Sequence, residues 1–236
     1  MLDPLKITST LADETRYQIY EYMLKNKKYF TVQNIADEFG IHPNVARLHL
    51  TKLSEIHVIS ADFVKTGKGG RPGRVYKTTE QGVSLTFPKR DEPLLLNWLL
   101  QLVDTLGDVA IEQAQQISYT DGHDMMKTII LSQKAKNKSL TFDDKLKLLT
   151  NSAAMIGYTP QVEQVDNNKI IQFVIYNCPF HNQLSTYSEI ACKLHESYLR
   201  GQVDALFLNN EFVQLNSMIH TCENCNYEIT VPTTEE

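Results

Sequence analysis

The sequence predicts an α+β fold, in which helices and short antiparallel strands occupy successive segments of a 236-residue chain. Three observations predict it. Apolar residues recur at helical spacing through residues 11–56, a glycine-rich basic stretch between two short apolar runs follows, and helix and hairpin patterns alternate through residues 141–236. The chain is accordingly divided into residues 1–87, a helical region 88–140 and a segment 141–236.

Composition and hydropathy are those of a water-soluble globular protein, with 42% hydrophobic and 22% charged residues. The longest apolar run, from Leu94 to Val103, is interrupted by Asn97 and Gln101. It is too short to cross a bilayer, which takes about 20 apolar residues. We therefore expect a cytoplasmic protein with no membrane partner, whose cysteines are reduced thiols or metal ligands.

Charge divides the chain unevenly. Residues 1–85 contain 12 Lys and Arg against 9 Asp and Glu, whereas residues 86–236 contain 11 against 19. A basic front and an acidic back indicate a polyanionic partner for the front alone.

The front segment begins with three predicted helices. Residues 11–24 carry an apolar face. Thr31 is placed to cap a second helix that ends at Gly40, and Pro43 fits the first turn of a third helix. Two helices joined by a short glycine-containing turn predict a helix-turn-helix.

The third helix has two faces. Ala46, Leu50 and Leu53 predict its buried side, and the other residues are free to face a ligand. In a helix-turn-helix this second helix enters the DNA major groove, where Arg and Asn side chains bond guanine and adenine. The candidate DNA-contacting residues of this helix are Asn44, Arg47, Leu48, Thr51 and Lys52. A solvated polar face is the alternative.

A basic hairpin follows and favours DNA binding. The strands are predicted over residues 58–65 and 74–80, separated by the glycine-rich stretch TGKGGRPGR. A hairpin after a helix-turn-helix is the wing of a winged-helix domain, and positive charge on it suits contact with phosphates. The candidate phosphate-contacting residues are Lys65, Lys68, Arg71 and Arg74. His57 occupies the position where a glycine often ends the recognition helix in such domains. It is therefore expected to adopt a left-handed conformation.

The central region predicts a helix through which two copies of the chain dimerise. Leu95, Leu99, Leu102, Leu106 and Val109 recur at alternating spacings of four and three within a helix expected over residues 91–118. The seam predicts a dimer helix, since winged-helix proteins commonly read two half-sites of a two-fold operator as homodimers. The alternative is a helix that faces the core. A short helix and a linker are expected over residues 121–140.

The back segment predicts helix, hairpin, helix, hairpin. Helices are expected over residues 141–157 and 186–207, and strands over 160–165, 169–176, 211–219 and 226–231. The chain's four cysteines all lie at or near element ends here, separated by 13, 29 and 2 intervening residues: Cys178, Cys192, Cys222 and Cys225.

This cysteine pattern admits four interpretations. A structural zinc usually shows two close cysteine pairs, and this chain has one. An iron–sulfur cluster needs about four thiolates but tolerates wider spacing and occasional histidines. The pair Cys222 and Cys225 alone could form a thiol oxidoreductase couple. Four small buried side chains without a ligand are the remaining interpretation.

The chain resembles the SufR-type iron–sulfur-sensing repressors, a branch of the ArsR/DeoR-like winged-helix regulators. Residues 46–60 and 67–82 carry the resemblance at the front. The stretch NCPFHNQLSTYSEIACKLHESYLRG and the closing CNYEI carry it at the back. The resemblance implies a homodimer that binds a 4Fe–4S or 2Fe–2S cluster, represses genes for cluster assembly and releases DNA when the cluster is lost.

The resemblance also implies the ligands. By position Cys178, Cys192 and Cys225 match the cysteines of the family, while Cys222 matches less firmly. The fourth ligand is therefore open between Cys222, His195 and His181, in that order.

Overall fold

In a computed structural model of the chain, residues 3–64, 73–79, 82–83, 85–88, 90–134, 140–153, 160–220 and 224–233 are described. They divide into two compact units, Met1–Arg90 and Asp91–Glu236. Mixed helices and antiparallel sheets confirm the α+β class. No helix among the described residues has the length and apolarity that a membrane crossing requires.

The first unit packs four helices on a small sheet. Its three strands pair antiparallel in the order β1-β3-β2. The elements in chain order are α1 (Pro4–Leu11), α2 (Glu14–Asn26), β1 (Phe30–Thr31), α3 (Val32–Phe39), α4 (Pro43–Glu55), β2 (Ile59–Val64) and β3 (Gly73–Thr78).

The sequence signals for the ends of α3 and α4 are confirmed. Thr31 and Asn34 form a reciprocal capping box at the start of α3, and Gly40 ends the helix with φ 61°. Pro43 occupies the first turn of α4. His57 follows α4 with φ 58°, the left-handed conformation expected of it.

The core of this unit contains the predicted face of α4. Ala46, Leu50 and Leu53 are fully buried there, together with Ile19 of α2 and Tyr76 of β3. Helix α1 was not predicted, since its short amphipathic pattern was not recognised. Its start carries ordinary signals, because the Asp3 side chain accepts a hydrogen bond from the Leu5 N–H and Pro4 occupies the first turn.

The second unit combines four helices with a four-stranded antiparallel sheet of order β4-β5-β7-β6. Short 3₁₀ turns cover His181–Gln183 and Met218–His220. The elements are α5 (Glu92–Leu106), α6 (Asp108–Lys134), α7 (Phe142–Ala153), β4 (Gln161–Val165), β5 (Asn168–Ile175), α8 (Ser188–Leu206), β6 (Glu211–Asn216) and β7 (Cys225–Pro232).

The prediction for the central helices was wrong in its break point. The break expected between residues 118 and 121 falls at Gly107, whose φ of 76° suits a residue without a side chain. Helix α6 then runs unbroken through residues 108–134. Leu106 and Val109 of the predicted seam therefore lie on different helices. The linker was expected at residues 132–139, but residues 132–134 belong to α6. Residues 135–139 lie outside the described residues.

Helices α6 and α8 approach each other at two glycines. A Cβ atom added to Gly201 of α8 would lie 2.1 Å from the backbone oxygen of Tyr119, and one added to Gly122 of α6 would lie 2.2 Å from that of Tyr198. The crossing is reinforced by the Ser118 hydroxyl, which donates to the backbone oxygen of Leu194 at 2.6 Å. Only glycine allows the two backbones to come this close.

Replacing Gly201 by Ala is expected to destabilise the second unit by about 1–3 kcal/mol, because a methyl group cannot fit against a backbone carbonyl. The loss should appear even though alanine has a helix propensity about 1 kcal/mol better than glycine. Denaturant unfolding followed by fluorescence of Trp98, the chain's one tryptophan, measures the change in this unit.

The matched control is Gly82→Ala, because no atom lies within 4 Å of a Cβ added there. An unfolding midpoint for Gly201→Ala as high as that of the wild type would contradict the close approach of the two helices.

Candidate functional site

The predicted DNA-contacting residues of α4 lie opposite its buried face. Asn44, Arg47 and Leu48 are exposed, and Thr51 and Lys52 are half-buried. An exposed fraction of 54% for Leu48 leaves an apolar side chain available on this face. The face therefore combines donors for base edges with an apolar group suited to a thymine methyl.

The basic hairpin is described only in part. Arg74 of β3 stacks over the ring of Tyr76, and Lys77 lies over the ring of Tyr29, at 5.2 and 5.7 Å from the ring centroids. These contacts fix the base of the hairpin and leave the cations on its surface. The other predicted wing cations, Lys65, Lys68 and Arg71, lie outside the described residues.

A polar network that the sequence did not reveal anchors α4 from its buried side. His49 is 7% exposed, and its Nδ1 atom accepts from Arg16 Nε at 3.4 Å. Arg16 also donates to the backbone oxygen of Thr10 at 2.7 Å. Burial lowers the pKa of His49. A neutral imidazole is the form that can accept from a guanidinium, so the network orients α4 against the junction of α1 and α2.

An apolar surface lies on α5. Among its residues only Leu100 is buried. The exposed large apolar side chains on α5 and the start of α6 include the whole predicted seam: Leu94, Leu95, Leu96, Trp98, Leu99, Leu102, Leu106 and Val109. A patch of this kind is typical of a surface that another protein covers. We call these eight residues the α5 face.

Sheet pairing brings two distant cysteines to one edge. Cys225 begins β7 and lies opposite Ile175, which ends β5. Cys178 follows Ile175 by three residues and is buried. Because the two strands are antiparallel, the end of one and the start of the other meet at the same sheet edge. Cys225 is buried on the side of the sheet that faces the core.

The third described cysteine approaches the same edge from α8. Burial raises the pKa of the Cys192 thiol, and negative charge on Cys225 raises it further, so the two sulfurs lie within electrostatic reach. A hydrogen bond from Ser217 to Cys192 lowers the pKa in part. The Met218 N–H donates to Cys225 Sγ at 3.3 Å. Segment 217–218 therefore contributes a donor to each of these sulfurs.

A buried histidine lies on the same helix as Cys192. His195 lies one turn beyond Cys192 on α8 and is 5% exposed. The ring of Phe180, two residues after Cys178, meets it edge-on with centroids 5.2 Å apart. Burial lowers the pKa of His195 to about 4. The imidazole is therefore neutral at neutral pH and keeps a lone pair for a ligand.

Three buried side-chain polar atoms among the described residues lack a hydrogen-bond partner, and all belong to this part of the chain. They are His195 Nε2, Asn224 Oδ1 and Asn226 Oδ1. The two asparagines flank Cys225, with Asn226 on the opposite face of β7 by strand alternation. Buried polar atoms are nearly always partnered, so these atoms make the surroundings of Cys225 and His195 a candidate ligand site.

The remaining candidate ligands divide between described and undescribed residues. His181 begins a 3₁₀ turn whose backbone N–H donates to the Cys178 oxygen at 3.1 Å. Cys222 belongs to the segment 221–223, which lies outside the described part of the chain. Within the described residues no three His, Cys, Asp or Glu side chains form a group that could hold a metal ion.

Comparison with known protein families, curated proteins and solved structures identifies no relative of this chain. No protein-family model matches it, and neither a curated protein nor a solved structure is similar enough to match.

The buried histidine makes the stability of the second unit depend on pH. Its pKa of about 4 lies below the ordinary 6.5, so the unfolded chain takes up a proton first as the pH falls. Its contribution is intact above pH 6.5, is lost progressively between 6.5 and 4, and amounts to about 3 kcal/mol. The metal-free His195→Gln variant should lack this part of the pH dependence, as measured by unfolding at several pH values.

Other titrating groups are common to both proteins, so the difference between wild type and variant isolates His195. Parallel stability curves from pH 7 to pH 4 would show that the imidazole is not buried as a neutral group.

Proposed function

We propose that the chain is a DNA-binding transcriptional repressor that senses an iron–sulfur cluster and controls genes of cluster assembly. The observation that carries the proposal is that β5–β7 pairing brings the segment before Cys178 and the start of β7 at Cys225 to one sheet edge, with Cys192 of α8 within electrostatic reach of Cys225. Three residues after Cys192, the buried His195 has an Nε2 atom without a hydrogen-bond partner among the described residues. Thiols and a neutral histidine are the protein groups that bind such clusters.

The DNA-binding part of the proposal rests on the first unit. Helices α3 and α4 joined through Gly40, followed by the β2–β3 hairpin, have the order of a winged helix-turn-helix. Its recognition helix would be α4, with Arg47 and Asn44 on base edges. The hairpin would place Arg74 and its neighbouring cations against phosphates.

The α5 face supports a homodimer. Its leucines are about half exposed in the single chain, with exposed fractions of 55% for Leu95, 51% for Leu99 and 53% for Leu102. A second copy would cover them through the same patch, since a two-fold interface is self-complementary. Two recognition helices would then read a double-stranded operator with two-fold symmetry.

The three cysteines would couple cluster binding to the arrangement of the dimer. Cys225 begins β7, Cys178 lies three residues beyond the end of β5 and Cys192 lies on α8, so their common ligation would fix α8 against the sheet edge. Helix α8 packs closely on α6, and α6 contacts α5 across Gly107. A bound cluster would cross-link the three cysteine sulfurs through iron. Loss of the cluster would remove that cross-link. The α5 face could thereby respond to the cluster state.

Protein that carries the cluster is expected to bind DNA about 5- to 150-fold more tightly than cluster-free protein, because coupling between two binding sites typically has this size. Protein purified without oxygen should show a visible chromophore with matching iron and sulfide. Affinity is measured at fixed salt on a duplex selected from a random pool. Cys178→Ser should lack the chromophore and bind DNA like chelated wild type.

Arg47→Ala is the matched control. It should retain the chromophore and lose about 5- to 150-fold in DNA affinity, since one bidentate base contact is worth about 1–3 kcal/mol. If the protein is colourless and contains stoichiometric zinc, the site is a structural zinc site and not a cluster site. Equal DNA affinity with and without the cluster would refute the coupling.

Glutamates at the α5 face should prevent dimerisation. In the Leu99→Glu, Leu102→Glu double variant, like charges meet their copies across a two-fold axis and the apolar contact is lost. The wild type should have twice the chain mass of 27.0 kDa in light scattering, and the variant the single mass. Leu208→Glu, at an 87% exposed leucine outside the face, should remain a dimer. A monomeric wild type would rule out the dimer.

A further inference from the structure

We propose that His195 is itself a ligand of the cluster, through Nε2, so that the site is of mixed three-cysteine, one-histidine type. The inference rests on the proposed function, because it concerns the same site. It reverses the order that the sequence alone favours, in which Cys222 is the first candidate for the fourth ligand.

The position of His195 follows from the helix. Residues three apart on a helix are neighbours on one face, so Cys192 and His195 present their side chains to the same region. Along that face Leu199 and Val203 continue into the core against the sheet. Where the stripe reaches the sheet edge with Cys225, an imidazole replaces the expected apolar residue.

The environment of the ring supports ligation. Nε2 is buried and has no hydrogen-bond partner among the described residues. An unmade hydrogen bond at a buried polar atom is unfavourable, and a bond to iron would offset that cost. The ring packs in a T-shaped arrangement against Phe180, two residues after Cys178, and this contact limits its rotation. A ring held in place with an unpartnered nitrogen is what a metal ligand requires.

The other histidine candidate lacks these features. His181 is only half-buried, and it takes part in further interactions of its own. It also belongs to the turn that immediately follows Cys178, where its backbone N–H is already bonded to the Cys178 oxygen. Of the two histidines, His195 alone is buried with a free nitrogen beside a second cysteine.

Histidine ligation has an electronic consequence. A neutral imidazole in place of a fourth thiolate leaves the site one negative charge smaller, which makes the cluster easier to reduce. His195→Cys restores that charge while keeping a ligand at the position. The variant should therefore retain the chromophore, with a reduction potential shifted to lower values than that of the wild type.

The direct test uses protein labelled with ¹⁵N in histidine only, purified without oxygen and reduced to the paramagnetic cluster. Pulsed electron paramagnetic resonance should detect the strong coupling of one directly bonded ¹⁵N nucleus. In His195→Cys this coupling should vanish while iron and sulfide remain. In His195→Ala the cluster should be lost about tenfold faster or more on exposure to chelator, since removal of outer-sphere partners alone weakens metal sites about 10–100-fold.

His181→Gln and Cys222→Ser are the controls, and both should keep the ¹⁵N coupling. A loaded wild type without histidine coupling, or a coupling that persists in His195→Cys, overturns the inference and leaves the cluster proposal standing. Wild type that holds no iron and sulfide after reconstitution overturns the proposed function and the inference with it. Circular dichroism of each variant shows whether a lost signal reflects lost folding.

Discussion

The second unit depends on one close approach between backbones, that of α6 and α8 at Gly122 and Gly201. At these points a single methyl group would overlap a carbonyl oxygen of the opposite helix. Small residues let helices cross with their axes close together, and here they do so twice along one crossing. The hydroxyl of Tyr119 then donates to Asp204 at 2.8 Å and fixes the register of the pair.

This crossing decides where the candidate ligands lie. With one side of α8 held on α6, Leu199 and Val203 pack in the core with the sheet, and His195 lies one turn earlier on the same helix face. Cys192 and His195 stand at the start of that face, where the sheet edge carries Cys225. The stacked rings of Phe173, Phe212 and Tyr227 fill the space further along the sheet. The apolar core thus ends beside the candidate ligands, and packing of this kind would hold their side chains in place.

Local signals were readable in the sequence and distant pairings were not. Thr31, Gly40, Pro43 and His57 predicted the boundaries of α3 and α4 because capping and left-handed conformations are set by neighbouring residues. The break at Gly107 was missed because the apolar seam continues past it. The sheet order β4-β5-β7-β6 joins strands far apart in the chain, and no local pattern encodes it.

The same division explains the site. Spacing identified the cysteines as a set, but only the pairing of β5 with β7 brings Cys178 and Cys225 to one edge. His195 stood second among the fourth-ligand candidates because its burial depends on the packing of α8. A single sequence shows neither burial nor an unmade hydrogen bond. The polar network of His49 and Arg16 escaped notice for the same reason.

The unpartnered atoms at this sheet edge also bear on why such a site persists. Each buried polar atom without a hydrogen bond lowers stability by about 1–3 kcal/mol, a large part of the 5–15 kcal/mol that holds a domain together. A leucine at position 195 would continue the apolar stripe and avoid that cost. Folds retain such local conflicts chiefly where a ligand removes them. Under the proposed function, ligation of His195 would remove the cost of its unpartnered Nε2 atom, which gives a physical reason for a histidine at this position.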